Sequence, residues 1–247
     1  METNTNPLID KLFSVGAHFG YAKSRRHPSN KSFIFGTKGT VELIDLEQTA
    51  ALLESALSFM QKAGAARQAV LFVGSKAEAR GALERAARRL NQPYVASRWI
   101  GGTLTNWSEI KKRLARLAEL SDMRETGEIA KFTKLERLLI DREITDLETM
   151  FGGLRGMEKI PAALFVVDPR HEHIAVVEAK LLGIPVVALM NTDCDAGMIA
   201  HPIPGNDASR QTIELVLEEA ASAYEKGLQT PAPAPAVAPA PAAVSAA

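Results

Sequence analysis

Three unbroken apolar runs constrain the fold of this 247-residue chain more than any other feature. They are AVLFVGS (69–75), AALFVVD (162–168) and PVVALMN (185–191), and aliphatic residues dominate all three. A half-buried strand alternates apolar and polar residues, whereas a strand that is buried on both faces need not. The runs therefore predict three strands in the interior of a mainly parallel sheet.

Helical patterns separate these runs, at residues 47–63, 76–91, 171–182 and 207–226. Alternation of strands and helices is typical of layered α/β proteins. We predict an α/β fold with a doubly wound, mainly parallel sheet flanked by helices, formed by residues 1–106 and 156–227. The segments SFIF and TVELI, joined by the turn GTKG, predict an antiparallel hairpin at the entrance to this domain.

The stretch 107–155 departs from the alternation because it contains no strand-like run. Apolar residues recur there at spacings of three and four among charges of both signs, namely Ile110, Leu114, Leu117, Ile140, Ile144, Leu147, Phe151 and Leu154. Such narrow stripes are typical of coiled-coil seams. We predict an antiparallel α-helical hairpin that protrudes as an arm; the alternative is two helices packed flat on the domain. Gly152–Gly153 would end the arm.

Residues 228–247 are mostly alanine and proline and carry no charge. Proline interrupts helices, and the segment has too few large apolar residues to form a core. We predict a disordered tail with polyproline character.

The compartment is indicated by cysteine content and by the N-terminus. Cys194 is the only cysteine, which excludes a disulfide within the chain and is typical of a reducing compartment. The N-terminal METNTNPLIDKL lacks the features of a signal peptide, and no apolar run reaches the roughly 18 residues that span a membrane. These features predict a cytoplasmic protein.

The zero net charge conceals an asymmetry between the two parts of the chain. Residues 1–120 carry 18 Lys and Arg against 10 Asp and Glu, whereas the remainder carries 11 against 19. This balance of +8 against −8 indicates one basic face for a polyanion and one acidic face.

Two basic clusters are candidates for anion binding. The segment YAKSRRHPSNK (21–31) holds Lys23, Arg25, Arg26, His27 and Lys31, and Lys38 follows it. The start of the arm adds Lys111, Lys112, Arg113 and Arg116. Cationic groups this close together repel one another, and phosphate is a natural partner for them. The alternative is a solvated surface run without a ligand.

The stretch RWIGGTLTNW (98–107) contains both tryptophans of the chain. Its tryptophans can stack or pack, Arg98 can reach phosphate or an acidic neighbour, and Gly101–Gly102 allow another backbone to approach. The alternative is that the tryptophans are core residues at the root of the arm.

Polar residues at the strand ends leave an enzyme or a nucleotide-binding protein open as an alternative. Ser75, Asp168 and Asp193 each follow a predicted strand, where α/β proteins commonly bind ligands. GSKAEAR lacks the spacing of a phosphate-binding Walker loop, and the histidines of DPRHEHI are two residues apart rather than four, unlike a zinc helix. A third interpretation is a protein-docking module built on the arm.

Five segments, in order and with matching spacing between Leu8 and Gly227, resemble the bacterial small-subunit ribosomal protein S two family. They are LFSVGAHFG (12–20), FIFGTKGTVELIDLEQT (33–49), RWIGGTLTNW (98–107), PAALFVVDPRHEHIAVVEAKLLGIPV (161–186) and IPGND (203–207). The chain departs from the family at Tyr21, where histidine is common, and at Asn191 and Ala208, where acids are frequent.

The resemblance implies a non-catalytic protein bound on the solvent side of the small subunit, near the junction of head and body. It implies binding to small-subunit ribosomal RNA, contact with neighbouring ribosomal proteins and recruitment of ribosomal protein S one. We expect no cofactor and no metal, although His18, Asp193, Asp195 and Asp207 are the residues to inspect for one. The expected RNA-binding residues are Lys23, Arg25, Arg26, His27, Lys31, Lys38, Arg98, Trp99, Asn106, Lys111 and Arg113. Charge reversal at Arg25 and Arg26 together is expected to lower incorporation into subunits without unfolding the domain.

Overall fold

A parallel five-stranded sheet forms the centre of the protein in a computed structural model that describes residues 6–230. The strands are β4 (Val70–Val73), β5 (Tyr94–Val95), β6 (Ala163–Val167), β7 (Val186–Met190) and β8 (His201–Pro204), and their order in the sheet is β5-β4-β6-β7-β8. The three predicted strands are β4, β6 and β7, which occupy the interior of the sheet with every residue buried.

Helices cover both faces of the sheet, which confirms the predicted α/β class. One face packs against α2 (Leu46–Ala65), α3 (Ala77–Arg89) and α7 (Arg210–Gln229), with α1 (Pro7–Ser14) beside them. The other packs against α6 (His173–Leu181) and the root of the arm. Each face of the sheet thus has its own hydrophobic core. Side chains of each interior strand point alternately into one core and the other, as the geometry of a strand requires.

The predicted antiparallel hairpin is present, but it belongs to a second, smaller sheet. Strands β2 (Ile34–Lys38) and β3 (Val41–Ile44) pair antiparallel, and β1 (Phe19–Ala22) adds to the other edge of β3. The turn is shorter than GTKG because Lys38 pairs directly with Val41, and Gly39 has a φ of 65°.

The arm consists of α4 (Trp107–Glu125) and α5 (Lys134–Phe151). The predicted stripe is buried or partly buried along both helices, and their contacts are chiefly with each other. This favours a projecting arm over helices packed flat on the domain. A capping box begins α5, because Thr133 and Glu136 bond reciprocally to each other's backbone N–H.

The predicted start of the tail is corrected by two residues, because α7 continues to Gln229. Nothing interrupts the helix before the first proline of the tail at position 231. The rest of the predicted tail, 231–247, lies outside the described residues. Within 6–230, no helix combines the length and the apolar character that crossing a membrane requires.

Two glycines let α2 and α7 pack at backbone contact. A Cβ atom at Gly227 would lie 2.1 Å from the carbonyl oxygen of Gln61, and one at Gly64 would lie 2.2 Å from that of Tyr224. Gly227→Ala is expected to lower the free energy of unfolding by about 1–3 kcal/mol, because the helices must separate. Chemical denaturation measures this change.

Gly81→Ala is the matched control, because Gly81 lies within α3 and its added Cβ would meet only the end of the Arg85 side chain at 3.6 Å. This substitution is expected to raise stability by about 0.5–1 kcal/mol, since alanine favours the helix. Equal effects of the two substitutions would contradict the close helix contact.

Candidate nucleic-acid interface

The loop RWIGGTLTNW is held in place by one buried carboxylate, that of Glu178 on α6. Its Oε1 accepts hydrogen bonds from the Trp99 indole N–H at 3.2 Å and the Gly102 amide at 2.8 Å. Its Oε2 accepts from the amides of Leu104 at 2.9 Å and Thr105 at 3.1 Å, and from the Thr105 hydroxyl at 3.2 Å. Gly102, whose φ is 90°, therefore lets the backbone turn around this carboxylate, whereas a Cβ atom at Gly101 would meet open space.

These hydrogen bonds favour the ionised form of Glu178. Burial by itself opposes ionisation, but the amides of Thr105, Gly102 and Leu104 and the indole of Trp99 together hold the pKa of Glu178 below its ordinary value. The loop thus owes its shape to a charged group that is 5% exposed.

Both tryptophans are core residues, which corrects the expectation that Trp99 is a direct RNA contact. Trp99 is 5% exposed and Trp107 is 9% exposed. Both pack in the core between the sheet, α6 and the arm. Trp99 therefore supports the surface from beneath, because its indole N–H is already used by Glu178.

The surface above this loop presents cations at the root of the arm. Arg98, Lys111 and Arg113 are exposed, and none of them forms an ion pair with any residue between 6 and 230. Asn106, at the N-terminus of α4, is also exposed, and its Oδ1 accepts from the Ser108 hydroxyl at 3.2 Å. Their neighbours on α4 are paired, Lys112 with Glu109 and Arg116 with Glu119 and Glu143.

The N-terminal basic loop, residues 23–31, is fastened to the loop that follows β7. Asn30, which is buried, donates to the carbonyl oxygens of Thr192 at 3.0 Å and Cys194 at 2.7 Å. The His27 amide donates to the Thr192 carbonyl at 2.8 Å, and the Ser29 hydroxyl accepts from the Ala196 amide at 3.0 Å. The basic loop is therefore a fixed surface of the domain.

Three of the predicted RNA contacts in this loop already have acidic partners within the protein. Arg25 lies 3.3 Å from Asp193 and stacks over the Tyr21 ring at 4.3 Å. Arg26 lies 3.0 Å from the buried carboxylate of Glu42.

His27 is the third predicted RNA contact with an acidic partner, and its Nδ1 atom lies 3.8 Å from a carboxylate oxygen of Asp195. Phosphate was expected as the anion for this cluster, but the structure supplies carboxylates from other parts of the chain. Charge reversal at Arg26 would place two carboxylates together in the interior, so the expectation that the double variant stays folded is withdrawn.

The remaining cations of this region have no such partner. Lys23, Lys31 and Lys38 are exposed and form no ion pair within the described part of the chain. They are therefore available to an external anion. Lys38 also contributes, after burial, to lowering the pKa of His18.

The carboxyl ends of the central strands hold a network of paired charges. The Lys76 ammonium lies 2.5 Å from Asp168 and 3.1 Å from Asp207. Asn191 donates a further hydrogen bond to Asp207 at 3.0 Å. Burial, together with the charge of Asp168, raises the pKa of Asp207 to about 6, while Lys76 and Asn191 oppose that rise.

The groups proposed for a ligand at the strand ends are also bonded within the protein. The amide and hydroxyl of Ser75 donate to Glu172 at 2.8 and 2.5 Å, where a phosphate would have to bind. Asp193 pairs with Arg170 at 2.8 Å. Asp168 has a φ of 61°, and its carboxylate accepts the amides of Arg170 and His171 at 3.0 Å. The network is a structural one.

The four residues singled out for a metal do not converge. His18 stacks between Phe13 and Phe19, with ring centroids 4.6 and 4.1 Å away. Asp195 caps a short turn by accepting from the Gly197 amide. Among the described residues, the metal-ligand types that approach one another are Asp168, Cys194 and Asp207, and the Lys76 ammonium already lies between the two carboxylates.

Together these features define an α/β protein with a helical-hairpin arm. Its exposed, unpaired cations are held on rigid elements, while the strand ends that serve as a ligand site in many α/β proteins are closed by internal ion pairs.

Comparison with known proteins identifies the family. Residues 12–227 match the family described as Ribosomal protein S2, so the chain belongs to it. The chain is 43% identical over 221 residues to small ribosomal subunit protein uS2 of Mycobacteroides abscessus, covering 90% of this chain and 80% of that protein. It is 43% identical over 224 residues to the uS2 protein of Nocardia farcinica, covering 91% and 79%. It is 42% identical to the uS2 protein of Rhodococcus opacus, over 91% of this chain and 78% of that protein.

Family membership confirms several predictions. The chain is a protein of the small ribosomal subunit that takes part in translation, it is not an enzyme, and it resides in the cytoplasm as part of the ribosome.

Glu178 and Asn30 position these surfaces but were not among the predicted site residues. Lys76 was considered only within GSKAEAR, as part of a possible phosphate-binding turn, and it pairs instead with Asp168 and Asp207. One signal in the sequence pointed to Glu178, namely that an acidic residue interrupts the otherwise apolar repeat of the α6 segment.

Proposed function

We propose that the chain binds small-subunit ribosomal RNA through two basic groups. The first is Lys23, Lys31 and Lys38 around the N-terminal loop and hairpin, and the second is Arg98, Lys111 and Arg113 at the root of the arm. Neighbouring ribosomal proteins complete its environment. The observation that carries the proposal is that these six side chains are exposed and unpaired, whereas Arg25 and Arg26 are neutralised internally.

The separation of the two groups favours recognition of folded RNA. The N-terminal loop contacts the loop after β7, whereas the arm follows the edge strand β5. With strands about 4.8 Å apart, β5 and β7 are on the order of 14 Å from each other. A single phosphate cannot bridge such a distance, so the ligand must present several phosphates in a fixed arrangement.

Within this proposal Arg25, Arg26 and His27 have a second role. Arg25 remains half exposed and can add a contact to RNA, while its bond to Asp193 fixes the loop. Trp99 and Asn106 shape the surface at the root of the arm. The binding energy is expected to come from the unpaired lysines and arginines, because they lose no internal partner when they bind phosphate.

We propose that the chain also recruits ribosomal protein S one, and that no metal supports this docking. Tyr21 is occupied by its contact with Arg25, and Asn191 donates to Asp207 where family members often have an acid. A metal-supported docking site would need those positions to supply ligands.

The substitutions K31E and K38E together test the RNA proposal. We expect reduced incorporation into small subunits in competition with the wild-type chain. The slope of log affinity for small-subunit ribosomal RNA against log salt is expected to decrease in magnitude by about 1.4–1.8, since each lost phosphate contact contributes about 0.7–0.9. Reconstitution with quantitative mass spectrometry and filter binding at several salt concentrations measure both effects.

The matched control is K62E with K226E, which makes the same change in charge at exposed lysines of α2 and α7. Thermal unfolding shows whether both double variants are as stable as the wild-type chain. If they are, a loss of incorporation reflects weaker binding and not unfolding. Equal incorporation of the two double variants would contradict the assignment of the N-terminal group.

A further inference from the structure

A cleft at the carboxyl ends of β4, β5 and β6 gathers basic side chains from three segments of the chain. It has a volume of about 430 Å³. Arg80 on α3, Arg98 after β5 and His171 before α6 line it, and the other lining residues are Ser75, Trp99, Glu172 and Ile174. The three segments meet because β5, β4 and β6 are neighbours in the sheet. Arg80 and His171 belong to neither of the two basic groups proposed above.

The three basic side chains of the cleft have no acidic partner. None of them forms an ion pair with any residue between 6 and 230, whereas their neighbours Arg85 and Arg170 do. Arg80 Nε donates to the carbonyl oxygen of Ala96 at 3.0 Å, which fixes the guanidinium group at the cleft. The terminal nitrogen atoms of Arg80 make no hydrogen bond within the described part of the chain, so they are available to an external acceptor.

The acid in the lining is Glu172, and it leaves the cleft positive. Glu172 is 2% exposed, and its Oε1 accepts from the amide and the hydroxyl of Ser75 at 2.8 and 2.5 Å. With His171 neutral, the two arginines and Glu172 give the lining a net charge of +1, which complements a phosphodiester. Because Glu172 occupies the Ser75 amide, an anion in the cleft has to be held by side chains.

Other acids near the cleft are neutralised by other cations. Asp168 and Asp207 pair with Lys76, and Asp193 pairs with Arg25 and Arg170. On α3, Glu84 lies one turn from Arg80, but it pairs with Arg88 at 3.4 Å. The arginines of the cleft therefore keep their charge for an external ligand.

The cleft also has an apolar wall. Ile174 is 44% exposed, and the buried Trp99 indole contributes to the same lining. The RNA backbone alternates phosphate with ribose, so basic groups next to an apolar wall suit one nucleotide of that backbone. The cleft is continuous with the second basic group, because Arg98 belongs to both.

We propose that this cleft binds one phosphodiester group of small-subunit ribosomal RNA. The guanidinium groups of Arg80 and Arg98 donate to the phosphate oxygens, since their planar forks match that geometry. His171 donates from the edge of the cleft, and the ribose packs against Ile174. The inference rests on the proposed function through Arg98, and it adds Arg80 and His171 to the contacts with RNA.

Ethylation interference in reconstituted subunits tests this inference. Small-subunit ribosomal RNA is sparsely ethylated at its phosphates, assembled into subunits that lack the chain, and incubated with the tagged chain. Captured subunits are depleted in ethylation at each phosphate that the chain contacts. We expect R80Q and R98Q each to abolish interference at the same phosphate. R80Q is also expected to lower the affinity for subunits about tenfold, because a charged hydrogen bond is lost.

R67Q is the matched control, because Arg67 is also exposed and forms no ion pair among residues 6–230, but it precedes the amino end of β4. It is expected to leave all interfering phosphates in place, whereas R113Q should remove a different one. If R80Q and R98Q share no phosphate, the inference is overturned, while other interfering phosphates still support the proposed function. If the wild-type chain shows no interfering phosphate, the proposed function fails.

A free nucleotide presents the same phosphate chemistry, so AMP and inorganic phosphate at millimolar concentration are added to the free chain. We expect no change in Tm, because one phosphate contact alone does not offset the cost of association. A rise in Tm with AMP for wild type but not for R80Q would assign the cleft to a mononucleotide and overturn the RNA assignment.

Discussion

Replacing Glu178 with alanine is expected to lower the free energy of unfolding by about 3–5 kcal/mol, one of the two largest single-residue effects we predict. The substitution leaves the amides of Gly102, Leu104 and Thr105 and the Trp99 indole without their acceptor. Each buried donor without a partner costs about 1–3 kcal/mol, and relaxation of the loop recovers part of the sum. Urea unfolding at constant m-value measures the change.

The conservative variant Glu178→Gln adds a test that depends on pH. Because the pKa of Glu178 is lowered in the folded state, its ionisation stabilises the fold above the ordinary value of 4.5. That stability is lost as the pH falls through the folded-state pKa. The difference between wild type and the glutamine variant is therefore expected to be full at pH 7 and to shrink below pH 4.5.

Glu109→Gln serves as the control for both variants. Glu109 lies close to the same loop, but it is exposed, and among residues 6–230 it pairs only with Lys112. Its substitution is expected to change stability by less than about 0.5 kcal/mol. If Glu178→Ala had an effect as small as this, the carboxylate could not be what holds the loop.

Replacing Lys76 with methionine is expected to cost about 3–5 kcal/mol at pH 8. Methionine keeps much of the length of the side chain but removes the charge between Asp168 and Asp207. The Asp207 side chain is fully buried, so its carboxylate would remain in the interior without a cation. Loss of one partner from a buried ion pair has this magnitude.

The cost of this substitution should also grow as the pH rises, but over a higher pH range than the cost at Glu178. The pKa of Asp207 is raised to about 6 from an ordinary 3.8, so ionising Asp207 destabilises the fold as the pH rises between those values. Without Lys76 that pKa rises further, and the variant keeps losing stability above pH 6 after wild type has levelled off. Thermal unfolding from pH 5 to pH 8 measures the divergence.

Two further variants identify the cause. Asp207→Asn in the methionine background is expected to restore part of the stability at pH 8, because it removes the unpaired charge. Lys112→Met, which removes an exposed lysine paired at 2.6 Å, is expected to cost less than about 0.5 kcal/mol. A methionine variant at position 76 that is as stable as wild type at pH 8 would show that the buried carboxylates need no cation.

Local patterns predicted those elements whose burial is encoded by their own periodicity. Strands β4, β6 and β7 are apolar runs because both faces of the sheet are covered, and the arm shows its seam as a repeat. The edge strands β5 and β8 were missed. One has two residues and the other contains two prolines, which lack the N–H that an interior strand needs.

The sequence predicted where the cations of the candidate site lie, but not which of them form ion pairs within the protein. Residues 23–31 and the root of the arm were identified from composition, because clustered cations are visible in a linear sequence. The partner of Arg25 is 168 residues away and that of Arg26 is 16 residues away. Whether a cation is free or neutralised depends on which loops the topology brings together, and no local pattern records that.

The sequence by itself determined the α/β class, the helical arm, the family and the position of the basic clusters. These depend on side-chain period, composition and segment order, which the chain carries locally. Only the tertiary structure decided that both tryptophans are buried, that Glu178 shapes the loop, and which cations remain exposed and unpaired. These properties arise when segments far apart in sequence meet at the strand ends and on α6, where the energy of a charge depends on its neighbours and its burial.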